Sequence, residues 1–372
     1  MSKLILITGG AGFIGSHLAD KLLAHGHRVR AFDNLSSQVH GARPERPGYL
    51  DPQVEMVVGD IRDPEAVRKA LQGVDAVYHL AARVGVGQSM YEIAQYTDVN
   101  NVGAAVLLEA LIEKPVERLV VASSMSIYGE GLYRAPDGTL AVGVERGREQ
   151  LRAKQWHVYN EKGEILTPVP TPETKLPNLA SIYALSKFDQ ERMCLMVGRA
   201  YGIPTVALRF FNVFGPRQAL SNPYTGVLAI FAARYLNDKP PLVFEDGWQE
   251  RDFVSVHDVA QACLLALESR AAADQVFNVG SGNHYTIREI AVRMAKVLDK
   301  EHIAPEITGN YRVGDIRHCF ADITQAREIL GYEPQVTLDE GLVELGAWLE
   351  GQVALDHVAI ASAELAKRGL TV

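Results

Sequence analysis

Cysteine is scarce: Cys194, Cys263 and Cys319 are the only three in 372 residues. An odd count at such wide spacing excludes a disulfide framework and points to reduced thiols in a cytoplasmic protein. No pair has the spacing of zinc ligands, so no metal is expected. Positive charge is not in excess either. Lys and Arg total 37 against 45 Asp and Glu, a formal net charge of -8. That balance argues against a nucleic-acid binder, although an anionic ligand needs only a local pocket of donors. No apolar run approaches the ~20 residues of a membrane span. The first residues, MSKLILITGG, read as a strand entering the fold rather than as a secretion signal. Internal repeats and low-complexity tracts are also missing. What is present is 47% hydrophobic residues, enough for a large α/β domain and a smaller one.

Apolar runs alternate with helical patterns through the first half. Strands are expected at Leu4–Thr8, Arg28–Asp33, Val54–Asp60, Ala76–Ala82 and Leu119–Ser124. Between them lie helices at Phe13–Ala24, Pro64–Leu71 (with Asp63 as N-cap) and Val99–Glu113. This alternation predicts an α/β fold, a Rossmann-type doubly wound parallel sheet, with a smaller C-terminal α/β substrate domain. The polar segment 130–177 interrupts the pattern. It reads either as a functional insertion or lid, or as a solvated surface excursion. A helix at Ser181–Ala200 and a strand at Thr205–Val213 follow. Beyond Gly215 the rhythm is irregular, with short strands at Leu242–Glu245 and Val276–Val279 among helices at Gly226–Leu236, His257–Leu267 and Ile287–Leu298. The domains expected are 1–216, with a returning segment 252–275, then 217–251 with 276–350, and a helical extension 351–372 continuing a terminal helix over Gly341–Leu370.

The glycines of Gly9-Gly10-Ala11-Gly12-Phe13-Ile14-Gly15 follow a strand and open a helix. Gly9 permits a tight turn, Gly12 lets a pyrophosphate approach the backbone, and Gly15 lets the helix pack closely on the sheet. Asp33 ends the second strand, where a carboxylate accepts hydrogen bonds from a ribose diol and repels a 2′-phosphate. NAD is therefore favoured over NADP. Asp60 ends the third strand and is placed to meet the adenine edge. Further on, Tyr183 and Lys187 stand at i and i+4 on one helix face. An ammonium beside a phenol favours the phenolate, which makes Tyr183 a proton acceptor from a substrate hydroxyl. Lys187 can also hold the nicotinamide ribose, and Ser124 can hydrogen-bond the substrate hydroxyl.

With these residues in place the chain resembles the extended short-chain dehydrogenase/reductase family, in its nucleotide-sugar epimerase/dehydratase branch. The motifs that carry the resemblance run from the glycine turn through His79-Leu-Ala-Ala82, Asn100, Ser123-Ser124-Met-Ser-Ile-Tyr128, Tyr183-x-x-x-Lys187 and Arg209-Phe-Phe-Asn212 to Arg251-Asp252-Phe253. The resemblance implies that Phe13 and Ile14 line the pyrophosphate. It implies that Asn34, Asp60 and Ile61 lie at the adenosine, and Leu80, Ala81, Ala82, Asn100 and Ser123 along the cofactor. Phe210 would then face the nicotinamide. Asn212, Arg251 and Arg312 would hold the diphosphate of a UDP- or dTDP-hexose, with Ser126 and Cys319 also at the substrate and Cys319 gating sugar size. A buried packing cysteine is the other reading of Cys319. A homodimer through the helices from Val99 and Ser181 is expected by the same analogy.

Met125 and Ser126 narrow the reaction. Similar 4,6-dehydratases carry an Asp-Glu pair there, and similar decarboxylases a Glu at the second position. Neither Met nor Ser does that acid–base work, so C4 epimerisation with a retained NAD is expected. The segment Gln218–Gly226 and the length of 130–177 are similar to the dTDP-L-rhamnose type. A 4-ketoreductase and a non-catalytic NAD-binding regulator are the alternatives, with a 4,6-dehydratase of the same family kept beside them. Asp33 counts against the first, and the set Ser124, Tyr183 and Lys187 against the second.

Overall fold

In the computed structural model, residues 2–41, 45–141, 145–224 and 226–371 are described. Seven parallel strands form the central sheet: β1 (Leu4–Thr8), β2 (Arg28–Asp33), β3 (Glu55–Val58), β4 (Ala76–His79), β5 (Arg118–Ser124), β6 (Thr205–Phe210) and β7 (Gln275–Val279). Their order is β7-β6-β5-β4-β1-β2-β3. The order reverses direction at β1, so the crevice beside the glycine turn is a switch point where such sheets bind ligands.

Alternation along β1 builds two cores. Ile5 and Ile7 enter one apolar layer with Leu18 and Leu22 of helix Phe13–Ala24 and with Val259 and Cys263 of helix Val256–Glu268. Leu4 and Leu6 enter the opposite layer with Val67, Leu107, Leu111 and Cys194. Successive side chains of a strand point to opposite faces, so a strand covered on both sides must be apolar throughout, as β1 is. Each fully buried Leu or Ile contributes roughly 1.5–3 kcal/mol. A third apolar cluster, under helices Val227–Leu236, Ile287–Val297 and Leu338–Leu349, sits apart from the sheet.

Several boundaries differ from expectation. The strand expected at Val276–Val279 in the smaller unit is β7 of the central sheet, so that segment belongs to the larger domain. The run Thr205–Val213 is two strands, β6 and Asn212–Phe214, and the second leaves the sheet to pair with Phe253–Ser255. β3 and β4 stop short of Asp60 and Ala82, which are free of ladder bonds where the chain turns over the crevice. The helix expected from Val99 begins at Ile93 and carries a π-helical stretch, Thr97–Val102, around Asn100. The terminal helix expected at Gly341–Leu370 is two helices, Leu338–Leu349 and Val358–Lys367.

Segment 130–177 forms its own three-stranded antiparallel sheet, with Leu132–Arg134 at its centre, over a small core of Tyr133, Val158 and Leu166. It docks through buried charge. Arg146 bonds Glu130 at 3.3 Å and Glu245 at 2.9 Å, and Arg317 bonds the other oxygen of Glu245 at 2.8 Å. Removing one member of such a buried pair costs about 3–5 kcal/mol, because the other charge is left unpaired.

Candidate active site

A cleft of about 550 Å³ opens at the carboxyl ends of the strands. Its floor is the glycine turn. Gly9 has φ +71°, and a Cβ there would lie 2.9 Å from the Ala81 amide nitrogen. A Cβ on Gly15 would meet the Gly9 carbonyl oxygen at 2.4 Å, so Gly15 packs the helix against its own turn rather than against the sheet. The residue pressed on the sheet is Gly10, where a Cβ would lie 2.7 Å from that of Ala31. Gly12 is the N-cap of helix Phe13–Ala24 and brings no side-chain cap. The first-turn N–H groups of Phe13, Ile14 and Gly15, which line the cleft, are left for a ligand. A glycine cradle and an uncapped helix N-terminus fit a pyrophosphate.

Asp33 lies at the end of β2 and lines the cleft. Its carboxylate accepts from the amides of Ala11 at 3.1 Å and Leu35 at 2.9 Å, which aim it beside the glycine turn. Asn34 and Ile61 also line the cleft, but Asp60 does not. Both Asp60 oxygens accept from the Arg62 guanidinium, at 2.9 and 2.8 Å, and one also accepts from Asn34 Nδ2. Those bonds hold its carboxyl far below the usual range. Asp60 therefore fixes Arg62 and Asn34, which line the cleft in its place.

Across the sheet, Ser124 ends β5, and Tyr183 and Lys187 enter from helix Ile182–Tyr201. Ser181 caps that helix by accepting from the Ala184 amide at 3.1 Å. All three side chains line the cleft together with Leu80, Ala81, Ala82, Ser123 and Phe210. Burial raises the Tyr183 pKa, and a hydrogen bond with Ser124 opposes the rise. Ser124 Oγ accepts from the Ser126 hydroxyl at 2.9 Å and the Ser126 amide at 3.2 Å, which leaves its own proton for the phenol oxygen. Ser126 thus stands behind Ser124 and does not itself line the cleft. Burial lowers the Lys187 ammonium to about 8. Asn100 also lies behind the lining. Its amide clasps the Arg83 amide at 2.7 Å and the Ser186 hydroxyl at 2.9 Å, tying the Leu80–Arg83 turn to the Tyr183 helix.

The residues assigned to the sugar diphosphate are less converged. Asn212 lines the cleft, and its buried Oδ1 has no partner among the described residues. Arg251 points away, donating to the carbonyls of Glu250, Ile316 and Arg317. Arg312 pairs with Asp315 at 2.9 Å over the Phe244 ring. Cys319 is buried 3.9 Å from the Thr171 hydroxyl. None of these three lines the cleft, and neither does any described residue of 130–177. Ladder pairing explains the arginine's course: Glu250–Arg251 is zipped beside His318–Cys319, which sets the Arg251 guanidinium against the carbonyls at 316–317.

Sequence reasoning missed Gln38. Its amide nitrogen reaches Gln88 at 3.0 Å and Asn222 at 3.2 Å, and its oxygen accepts from Arg83 at 3.1 Å. It joins the segment after β2 to two others across the cleft. Its partners are 45 to 184 residues distant, so nothing local marks it.

The sequence matches the NAD dependent epimerase/dehydratase family over residues 5–143 and 156–280. It is 37% identical to the dTDP-L-rhamnose 4-epimerase of Burkholderia thailandensis over 93% of this chain and 95% of that one. It is 28% identical to the UDP-N-acetyl-alpha-D-glucosaminuronate decarboxylase of Bacillus cytotoxicus, over 94% and 98%. The crystal structure of Thermus thermophilus UDP-glucose 4-epimerase in complex with NAD superposes with a TM-score of 0.74 at 33% identity, covering 94% of this chain and all of that one.

Proposed function

The chain belongs to the NAD dependent epimerase/dehydratase family, and from that premise we propose that it inverts C4 of a UDP- or dTDP-hexose through a transient 4-keto sugar. One observation carries the reading: the only carboxylate among the described residues lining the cleft is Asp33. Asp33 ends β2, three strands from Ser124 on β5, or roughly 14 Å at the usual strand spacing. The two positions where similar dehydratases or decarboxylases carry acids hold Met125 and Ser126, and Ser126 donates to Ser124. Bound NAD supplies the hydride acceptor and donor. What the chain supplies is the proton chemistry and the positioning.

Tyr183 takes the proton from the sugar 4-hydroxyl, and Ser124 orients that hydroxyl while steadying the phenolate. The Lys187 ammonium, close by on the same helix face, lowers the cost of that phenolate. Inversion requires the keto sugar to present its other face before Tyr183 returns the proton. The diphosphate must stay anchored while the hexose turns. Asn212, with its unpartnered oxygen in the cleft wall, suits the near end of that anchor. Arg251 and Arg312 join it when substrate replaces their present carbonyl and carboxylate partners. Asp60 and Asn100 act through the residues they hold. Cys319, buried against Thr171 and away from the cleft lining, suits a packing role better than a gate on sugar size.

Exposed apolar side chains on the flanking helices (Val102, Leu185 and Met196) support a homodimer. Parallel incubation with UDP-glucose, UDP-N-acetylglucosamine and dTDP-L-rhamnose, without added cofactor, tests the reading. Formation of the C4 epimer of one of them is expected. Turnover only with added NADPH would replace it with a ketoreductase.

A further inference from the structure

Lys187 does not sit alone against an apolar wall. Its Nζ donates to Gln190 Oε1 at 2.8 Å, on the next turn of the helix and behind the cleft. The amide nitrogen of Gln190 lies 3.2 Å from His79 Nε2. His79 Nδ1 lies 2.9 Å from Thr8 Oγ1, and the same oxygen accepts from the Ala81 amide at 3.2 Å. Gln190, His79 and Thr8 are all buried.

The chemistry of the chain fixes its polarity. An ammonium has only protons to give, so the atom facing it is the amide oxygen, and the amide NH2 must face the imidazole. His79 Nε2 is then an acceptor, the ring is neutral, and its proton is on Nδ1, directed at Thr8. Burial and the nearby ammonium lower the His79 pKa to about 3, in keeping with that tautomer. One buried line of hydrogen bonds therefore runs from the ammonium to the last residue of β1, next to Gly9, and to the backbone of Ala81 in the cleft wall.

We propose that Gln190 is a positioning residue: held by His79 and Thr8, it fixes the Lys187 ammonium relative to Tyr183 and to the glycine turn. A glutamine in the interior of a helix with no water to bond is costly unless both ends are paired. Here both ends are paired, and one of them is a catalytic cation. The ionisable groups around the ammonium are Glu191 and Cys194 on its own helix and His79 at the end of β4, and Tyr183 stands one turn earlier on the same helix face. Glu191 is occupied by Arg209, at 2.9 and 2.7 Å, and by the Ser123 hydroxyl at 2.7 Å. Gln190 is therefore the uncharged group left to orient the lysine. The assignment rests on the role given to Lys187 above and not on the identity of the sugar.

The test is a phenolate titration of the NAD-loaded protein by ultraviolet difference absorption, with the Tyr183→Phe protein as the blank. It needs no substrate, so it stands or falls apart from the epimerase reading. Gln190→Met keeps the volume and removes both hydrogen bonds. A roughly tenfold smaller Tyr183 phenolate fraction at a fixed pH below the midpoint is expected. In a Lys187→Met background the same substitution is expected to change that fraction by less than about twofold, because Gln190 acts through the lysine. Should Gln190→Met fail to retain NAD, Gln190→Asn shortens the reach by one methylene and keeps the polarity, with the same direction expected. A titration unchanged by both substitutions, or an equal loss with and without Lys187, would overturn the proposal.

Discussion

Around the glycine turn the polar groups are aimed into the cleft, whereas on the substrate side the two arginines are aimed away from it. Asp33 is held by two backbone amides, and Lys187 by a buried glutamine. The first turn of helix Phe13–Ala24 carries no side-chain cap. Those features exist before any ligand arrives, so little is lost in ordering them. Arg251 and Arg312 instead satisfy carbonyls and Asp315 within the protein. To bind a diphosphate they must exchange those bonds for bonds to phosphate, and the net gain is the difference. A cofactor half with its groups already aimed, and arginines that would have to rearrange to reach a diphosphate, are what the proposed epimerase with retained NAD would need.

Substitutions separate the two halves. The largest effect is expected from Tyr183→Phe: turnover falls by about 10³-fold or more while bound NAD, measured in the denatured supernatant, is unchanged. Asp33→Ala strikes the preformed half. NAD affinity is expected to fall roughly 10- to 100-fold, with discrimination against NADP relaxed, as read by titration of both cofactors. Arg312→Ala strikes the other half, and an increase in KM of about tenfold or more with full NAD content is expected. Equal loss of NAD in Arg312→Ala would erase the distinction. Gln38→Ala opens the bridge across the cleft, so NAD release on dialysis is expected to quicken by several-fold with kcat little changed.

A smaller effect concerns pH. Lys187 ionises near 8 in the fold, below the ordinary lysine value of 10.5. A base with a lowered folded pKa carries a penalty that is complete below 8 and fades as pH rises from 8 to 10.5, where the unfolded chain holds more protons. In protein stripped of NAD, Lys187→Met is therefore expected to relieve on the order of 2–3 kcal/mol at pH 7, a gain offset by roughly 1–3 kcal/mol for the buried Gln190 oxygen it leaves unpaired. The gain should shrink towards pH 10.5, as followed by denaturant unfolding at each pH.

What could be read in the sequence follows from the range of each interaction. The glycine turn, the Asp63 cap and the Tyr183–Lys187 pair depend on residues within a few positions, and the chain states them directly. The strand end at His79 is hidden because Leu80, Ala81 and Ala82 continue the apolar run past the last ladder bond into the cleft wall. Lys187 is three residues from Gln190, but the His79 that holds Gln190 is 111 residues away and the partners of Gln38 lie up to 184 away, so neither role leaves a local trace. Arg251 and Arg312 show the opposite failure. Their residue type fits phosphate, but type does not say which acceptor a guanidinium takes: the ladder beside Cys319 set it for Arg251, and Asp315 set it for Arg312. Asp60 is a similar case, with Arg62 claiming the carboxylate that an adenine was expected to meet.

The account turns on a hydride that leaves C4 and returns to it within one protein molecule. Purified protein incubated with C4-deuterated UDP-glucose or dTDP-L-rhamnose, without added cofactor, tests this most directly, with the product examined by mass spectrometry and NMR. The account predicts the C4 epimer with its deuterium retained at C4. Loss of the label, or conversion only when NADPH is supplied, would contradict it.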